Sequence, residues 1–170
     1  GGFLAIVVGR GSPALAEANP GLAQLLFGAA LPLGFVLVLV AGAELFTDNL
    51  GIITPASLVG AARWNGLLRN WGVVYLANLA GAVFVALVIG RWSGLAGGET
   101  VGQASAAIAE GKAAIPWFQV LLRGIGGNWL AALAAWLALA ADDLGGKILG
   151  IWLPITAFAA LGLEHAVANM

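Results

Sequence analysis

Long apolar runs alternate along this chain with short polar clusters, and the lengths of the runs set the first expectations. From Leu22 to Ala43 the only polar side chain is Gln24. A stretch of that length matches the roughly 20 apolar residues that carry a helix across a bilayer, where Pro32, Gly28 and Gly34 are tolerated. A second run, Trp71 to Ile89, is entered at Arg69-Asn70 and left at Arg91-Trp92, and its polar members are Tyr75 and Asn78. Trp71 and Trp92 at its ends read as interfacial anchors. The third, Ala113 to Ala141, is interrupted by Gln119, Arg123 and Asn128 and closed by Asp142-Asp143. A fourth, Ile148 to Leu163, is only 16 residues long before Glu164-His165 interrupts it, and a simple spanning helix would not stop there. The short run Phe3 to Val8 lacks a charged segment before it and a small-residue cleavage site after it, so it is read as the end of a helix rather than a signal peptide. Gly11 to Pro20 and Gly94 to Gly111, the latter carrying Glu99 and Glu110, are expected to be surface loops. Ala56 to Asn70 holds Arg63 and Arg69 and no acid, which places that loop on the cytoplasmic side.

Composition agrees with the pattern. The 170 residues are 61% hydrophobic and only 9% charged, against about 25% charged in soluble domains. The expected class is an all-α integral membrane protein crossing the bilayer several times. A net charge of −1 leaves no basic stripe for nucleic acid. Without cysteine and with a single histidine there is no metal-ligand cluster, and no cofactor is implied. No Ser/Lys or Asp/Asp pairing at helical spacing supports catalysis.

The informative polar residues interrupt the apolar runs. Gly42-Ala43-Glu44-Leu45-Phe46-Thr47-Asp48-Asn49 follows the first span, and Gly162-Leu163-Glu164-His165-Ala166-Val167-Ala168-Asn169 repeats its Gly, Glu and Asn at the same offsets 120 residues later. Placing a charge within a span costs about 2.5–3.5 kcal/mol on insertion scales, which favours a capping or pairing role over accident. Inverted-repeat transporters break equivalent helices near the midplane and turn the freed helix ends toward the substrate path. A freed helix N-terminus favours an acidic cap, so Glu44, Asp48, Glu164 and Asn169 are candidates for holding the two breaks.

These two octets, the second continued by Met170, resemble the two signatures of the formate/nitrite transporter family. Asn70-Trp71 through Tyr75, Asn78 and Gly81 is similar to a third motif, and Lys112 stands sixteen residues before Asn128, as in the family. The resemblance implies an aquaporin-like bundle of six transmembrane helices with the second and fifth broken. The chain would form a single transport domain over 1–170, from the end of the first helix into the broken fifth, with the sixth absent. It further implies a homopentamer in a prokaryotic inner membrane, each subunit holding a pore for small monovalent anions.

Carried over by motif, the pore residues are His165 at the centre, Thr47 facing it, and Lys112 and Asn128 near the outer vestibule. The apolar constrictions are Leu45, Phe46 and Phe158, with Leu31 and Phe35 beside them. One branch of the family has Phe and then Leu at these last two positions, the reverse of this sequence. Taken alone, Lys112 is also compatible with an interfacial lysine and Asn128 with a helix–helix hydrogen bond. Glu44 and Glu164 read as caps rather than substrate contacts. The expected activity is passage of formate, nitrite or similar weak-acid anions with proton exchange at His165, an imidazole being the side chain of reference pKa near 6.5. An aquaporin-like channel for neutral solutes is the alternative.

Overall fold

The computed structural model describes residues 1–95 and 99–169, which leaves 96–98 of the expected Gly94–Gly111 loop, and Met170 after the second octet, outside the described residues. Every regular element among the described residues is a helix: α1 (Gly2–Arg10), α2 (Pro13–Ala18), α3 (Pro20–Ala30), α4 (Pro32–Ala41), α5 (Phe46–Leu58), α6 (Trp64–Phe84), α7 (Glu99–Ala113), α8 (Trp117–Ala140) and α9 (Leu144–Ala160). α6 continues without interruption into wider π-type turns over Val85–Trp92.

Three stretches are long and apolar enough to cross a membrane: Pro20–Ala41 with 22 residues, Trp64–Trp92 with 29 and Trp117–Ala140 with 24. The first is made of α3 and α4 in series. Leu31 between them keeps helical angles, and Pro32 removes one backbone donor, so the ladder is interrupted while the direction is kept.

Three expectations need correction. Gly11–Pro20 is not a plain loop, because Ser12 and Asn19 each stand before a proline and cap a helix, accepting from the backbone N–H of Leu15 and Leu22. Such a cap followed by proline at the first helical position is a helix start. The polar segment around Gly102 is helical from Glu99 onward, since Ala104, Ala106, Ala107 and Ala109 supply the strongest helix-forming residue. Finally, α5 runs through Leu58 and α6 begins at Trp64, so most of Ala56–Asn70 is helix and Trp64, not Trp71, stands at the entrance to the second span.

The core lies where α9 packs against α8, α3 and α4, with α1 laid on α3. Ala131, Ala134, Ala135 and Ala138 form a buried stripe at three- and four-residue spacing on α8. Ile151, Ile155, Phe158 and Ala159 face it from α9. Small residues let helix backbones approach closely, and in lipid that dispersion contact replaces the hydrophobic drive available in water. α6, by contrast, meets the rest of the described molecule chiefly along α5. Of Trp64–Phe84 only Leu67 and Val74 are buried.

Both expected breaks are present and share one construction. After α4, Gly42 takes φ +73°, and the Ala43 N–H reaches back to the Val38 carbonyl at 2.9 Å. After α9, Gly162 takes φ +66°, and the Leu163 N–H reaches back to the Phe158 carbonyl at 3.2 Å. Each is the left-handed helix stop that glycine adopts without a Cβ penalty. Helical bonding resumes at Phe46 after the first, and after the second with the Asn169 N–H on the His165 carbonyl at 3.1 Å.

Candidate functional site

A glutamate and an asparagine five residues on hold each break. At the first, Asn49 Nδ2 donates to Glu44 Oε2 and, at 2.9 Å, to Asn70 Oδ1 of α6. At the second, Asn169 Nδ2 donates to Glu164 Oε2 at 2.7 Å, and Lys112 Nζ of α7 donates to the same oxygen at 2.5 Å. The repeated Gly, Glu and Asn of the two octets therefore describe one motif used twice. The partner differs, a neutral amide at the first break and a cation at the second. Glu164 is buried, with its side chain 8% exposed, and the Lys112 side chain is 38% exposed.

The second break also leans on α8. Glu164 N–H donates to the Arg123 carbonyl at 3.3 Å. A Cβ on Gly127 would stand only 2.2 Å from the Glu164 carbonyl oxygen, so glycine is what allows this approach.

His165 follows immediately and is 1% exposed. Phe35 and Phe158 flank it in T-shaped contacts, with ring centroids 5.7 and 5.9 Å from the imidazole. Nδ1 accepts from the Ala168 N–H at 3.1 Å, so the ring caps the turn that it begins. In the neutral ring, an accepting Nδ1 leaves the hydrogen on Nε2. That atom is buried without a partner among the described residues. Thr47 Oγ1 is likewise buried and unpartnered, as are both carboxylate oxygens of Asp48 in the first turn of α5.

Leu31, Phe35 and Phe158 belong to one buried cluster, and Leu45 packs against it. Phe46 turns the other way, its ring lying 5.4 Å from Tyr75 and 6.5 Å from Trp71 of α6. Asn128 bonds within its own helix, donating to the Gly124 carbonyl at 2.7 Å. A cavity of about 260 Å³ opens beside the first break, lined among others by Gly42, Glu44, Asp48, Asn49 and Lys147.

Sequence reasoning assigned no role to Asn70, Asn78 or Lys147. The first two were visible within a motif whose members Trp71, Tyr75 and Asn78 share one helix face by their spacing. Asn78 Oδ1 accepts from the Phe46 N–H at 3.0 Å, and its Nδ2 donates to the Glu44 carbonyl at 3.1 Å.

Apolar helices, two of them ended by the same glycine stop and Glu–Asn pair with a buried imidazole at the second, are the arrangement that broken-helix membrane transporters use. The comparisons with known proteins agree. Residues 1–170 match the formate/nitrite transporter family throughout. The probable formate transporter of Methanothermobacter thermautotrophicus is 45% identical over 184 residues, covering 100% of this chain and 67% of the relative. The formate channel BtFdhC of Bacillus thuringiensis is 41% identical over 149 residues, covering 88% of this chain and 57% of the relative. A solved structure described as a pentameric formate channel with formate bound superposes with a TM-score of 0.81 at 31% identity, covering 98% of this chain and 64% of that one. The chain belongs to the formate/nitrite transporter family and is an integral membrane protein. It spans between about half and two-thirds of the length of these relatives.

Proposed function

We propose that the protein conducts small monovalent weak-acid anions, formate or nitrite being the model substrates, through a pore in each subunit of a homopentamer. The path runs in an aquaporin-like subunit past Lys112, the ring of Leu31, Phe35, Leu45 and Phe158, and His165 between them. The observation that carries this reading is His165 itself. It is a buried imidazole whose Nδ1 is engaged by the backbone and whose Nε2 faces no protein partner among the described residues.

Lys112 keeps donor capacity after bonding Glu164, because an ammonium has three hydrogens. An arriving anion meets a cation whose charge is already balanced, so it is admitted without being trapped. The apolar ring then strips water from it and favours its neutral form. His165 Nε2–H supplies a hydrogen bond at that point, and Thr47 Oγ1 is the second buried group free to take part. For the ring to take a second proton, from water entering the path, Nδ1 must give up the Ala168 N–H. The ring so charged passes its Nε2 proton to the anion, which moves on as the neutral acid, and keeps the other proton on Nδ1.

Flux of formate, nitrite, acetate and chloride into liposomes containing the purified protein, at two pH values, tests the reading. We expect weak-acid anions to pass with a pH dependence and chloride to pass poorly. His165→Phe, which keeps the ring and removes both nitrogens, should assemble and alter that dependence. An assembled variant with the wild-type rate and pH profile would sink the role given to His165.

A further inference from the structure

The first break contains one contact that the second lacks. Leu45 is extended, at φ −114° and ψ 131°, between the Gly42 stop and the start of α5. The backbone groups that bound it on one edge are the Glu44 carbonyl before it and the Phe46 N–H after it. Both are taken by a single side-chain amide, that of Asn78, which accepts from Phe46 at 3.0 Å and donates to Glu44 at 3.1 Å. The amide acts as a one-residue strand partner for Leu45, leaving the Leu45 side chain directed to the cluster of Leu31, Phe35 and Phe158.

Phe46 reinforces this from the same side, since its ring packs against Tyr75 and Trp71 on the α6 face that carries Asn78. At the second break the comparable support comes from main chain, with the Glu164 N–H on the Arg123 carbonyl. Main-chain support cannot be removed by changing a side chain. Leu45 has such support on one edge only, its carbonyl accepting from the Asn49 N–H at 3.0 Å, and the other edge of the link rests on one replaceable side chain of α6.

We propose that Asn78 is the positioning residue that sets the width of the Leu45 constriction and thereby the size limit of the permeating anion. This rests on the reading of Leu45 as a pore-lining residue. Asn78 itself touches no substrate. It acts by holding two backbone dipoles so that Leu45 has one orientation.

The experiment compares formate and lactate flux in liposomes containing wild-type protein, Asn78→Leu or Asn78→Asp, with assembly checked by native mass spectrometry. The ratio of the two fluxes is independent of how many pores insert, so a merely structural effect leaves it unchanged. Asn78→Leu frees both backbone groups, and the lactate-to-formate ratio should rise about tenfold, the order expected when two hydrogen bonds that select one conformation are lost. Asn78→Asp keeps the acceptor for the Phe46 N–H but loses the donor, and a rise of about threefold is expected. An unchanged ratio in either assembled variant overturns the proposal. So does failure of both variants to assemble, which would make Asn78 a folding residue. Absence of anion flux in the wild type would instead remove the pore reading on which the proposal stands.

Discussion

Glu164 gives one carboxylate oxygen to two donors, Lys112 and Asn169, while almost wholly withdrawn from solvent. Removing one partner of such a pair strands the other charge, at a cost that reaches about 3–5 kcal/mol in fully buried pairs. Because the lysine is 38% exposed and solvent screens it, Lys112→Met should cost less than that range, about 1–3 kcal/mol. Adding Glu164→Gln should restore most of the loss, since no charge is then stranded and the Gln amide oxygen can still accept from Asn169. Thermal unfolding of the two singles and the double in detergent completes the cycle, and independent, additive losses would show that the pair is not coupled. The sequence singled out both residues, Lys112 through the family resemblance and Glu164 as a candidate helix-break cap. It did not pair them, because 52 positions separate them and only the fold brings α7 to the second break. Phe46 shows the complementary limit: it adjoins Leu45 in an extended link, and neighbouring side chains in extended backbone point to opposite sides. One of the two had to turn from the core, and the sequence does not say which.

The second break is an element built on another element. Its Glu164 carbonyl lies against α8 at Gly127, where an added methyl group would overlap the oxygen. Gly127→Ala should force α8 and the break apart, destabilising the protein by about 1–3 kcal/mol as overpacked sites do and loosening the turn capped by His165. A lower unfolding temperature together with faster amide exchange at residues 164–169 is the expected result, and wild-type values for both would refute the close fit. The spanning helices and both breaks were legible. In lipid an apolar run of about twenty residues has to be a helix, and a carboxylate that cuts into one needs a local partner to stay there. α2 and the start of α7 were not legible. There the glycine and polar content suggested loops, but two cap-and-proline pairs and a run of alanines outweighed it locally. The Asn78 clasp was unreadable for another reason, since nothing in a helical motif tells which backbone groups elsewhere lack partners.

At the scale of the whole molecule, α6 presents Leu76, Val83 and Phe84 to the outside, each exposed by 47% or more. A neighbouring subunit or lipid covers such a face equally well, and we expect both, with five copies arranged so that each keeps its own path. Native mass spectrometry of the protein released from detergent micelles should give a pentamer, and monomers alone would count against that arrangement. The 29 residues of Trp64–Trp92 reach as far as ~43 Å at 1.5 Å per residue, well beyond the roughly 30 Å of a hydrocarbon layer. A helix too long for its bilayer tilts, and tilts more as the bilayer thins. Since α6 is attached chiefly along α5 and through Asn78 to the loop at Leu45, its tilt is transmitted to that loop. On the proposed path past Leu45, lipid chain length would then act on the constriction from outside, through the packing of α6 on α5 and the Asn78 amide together.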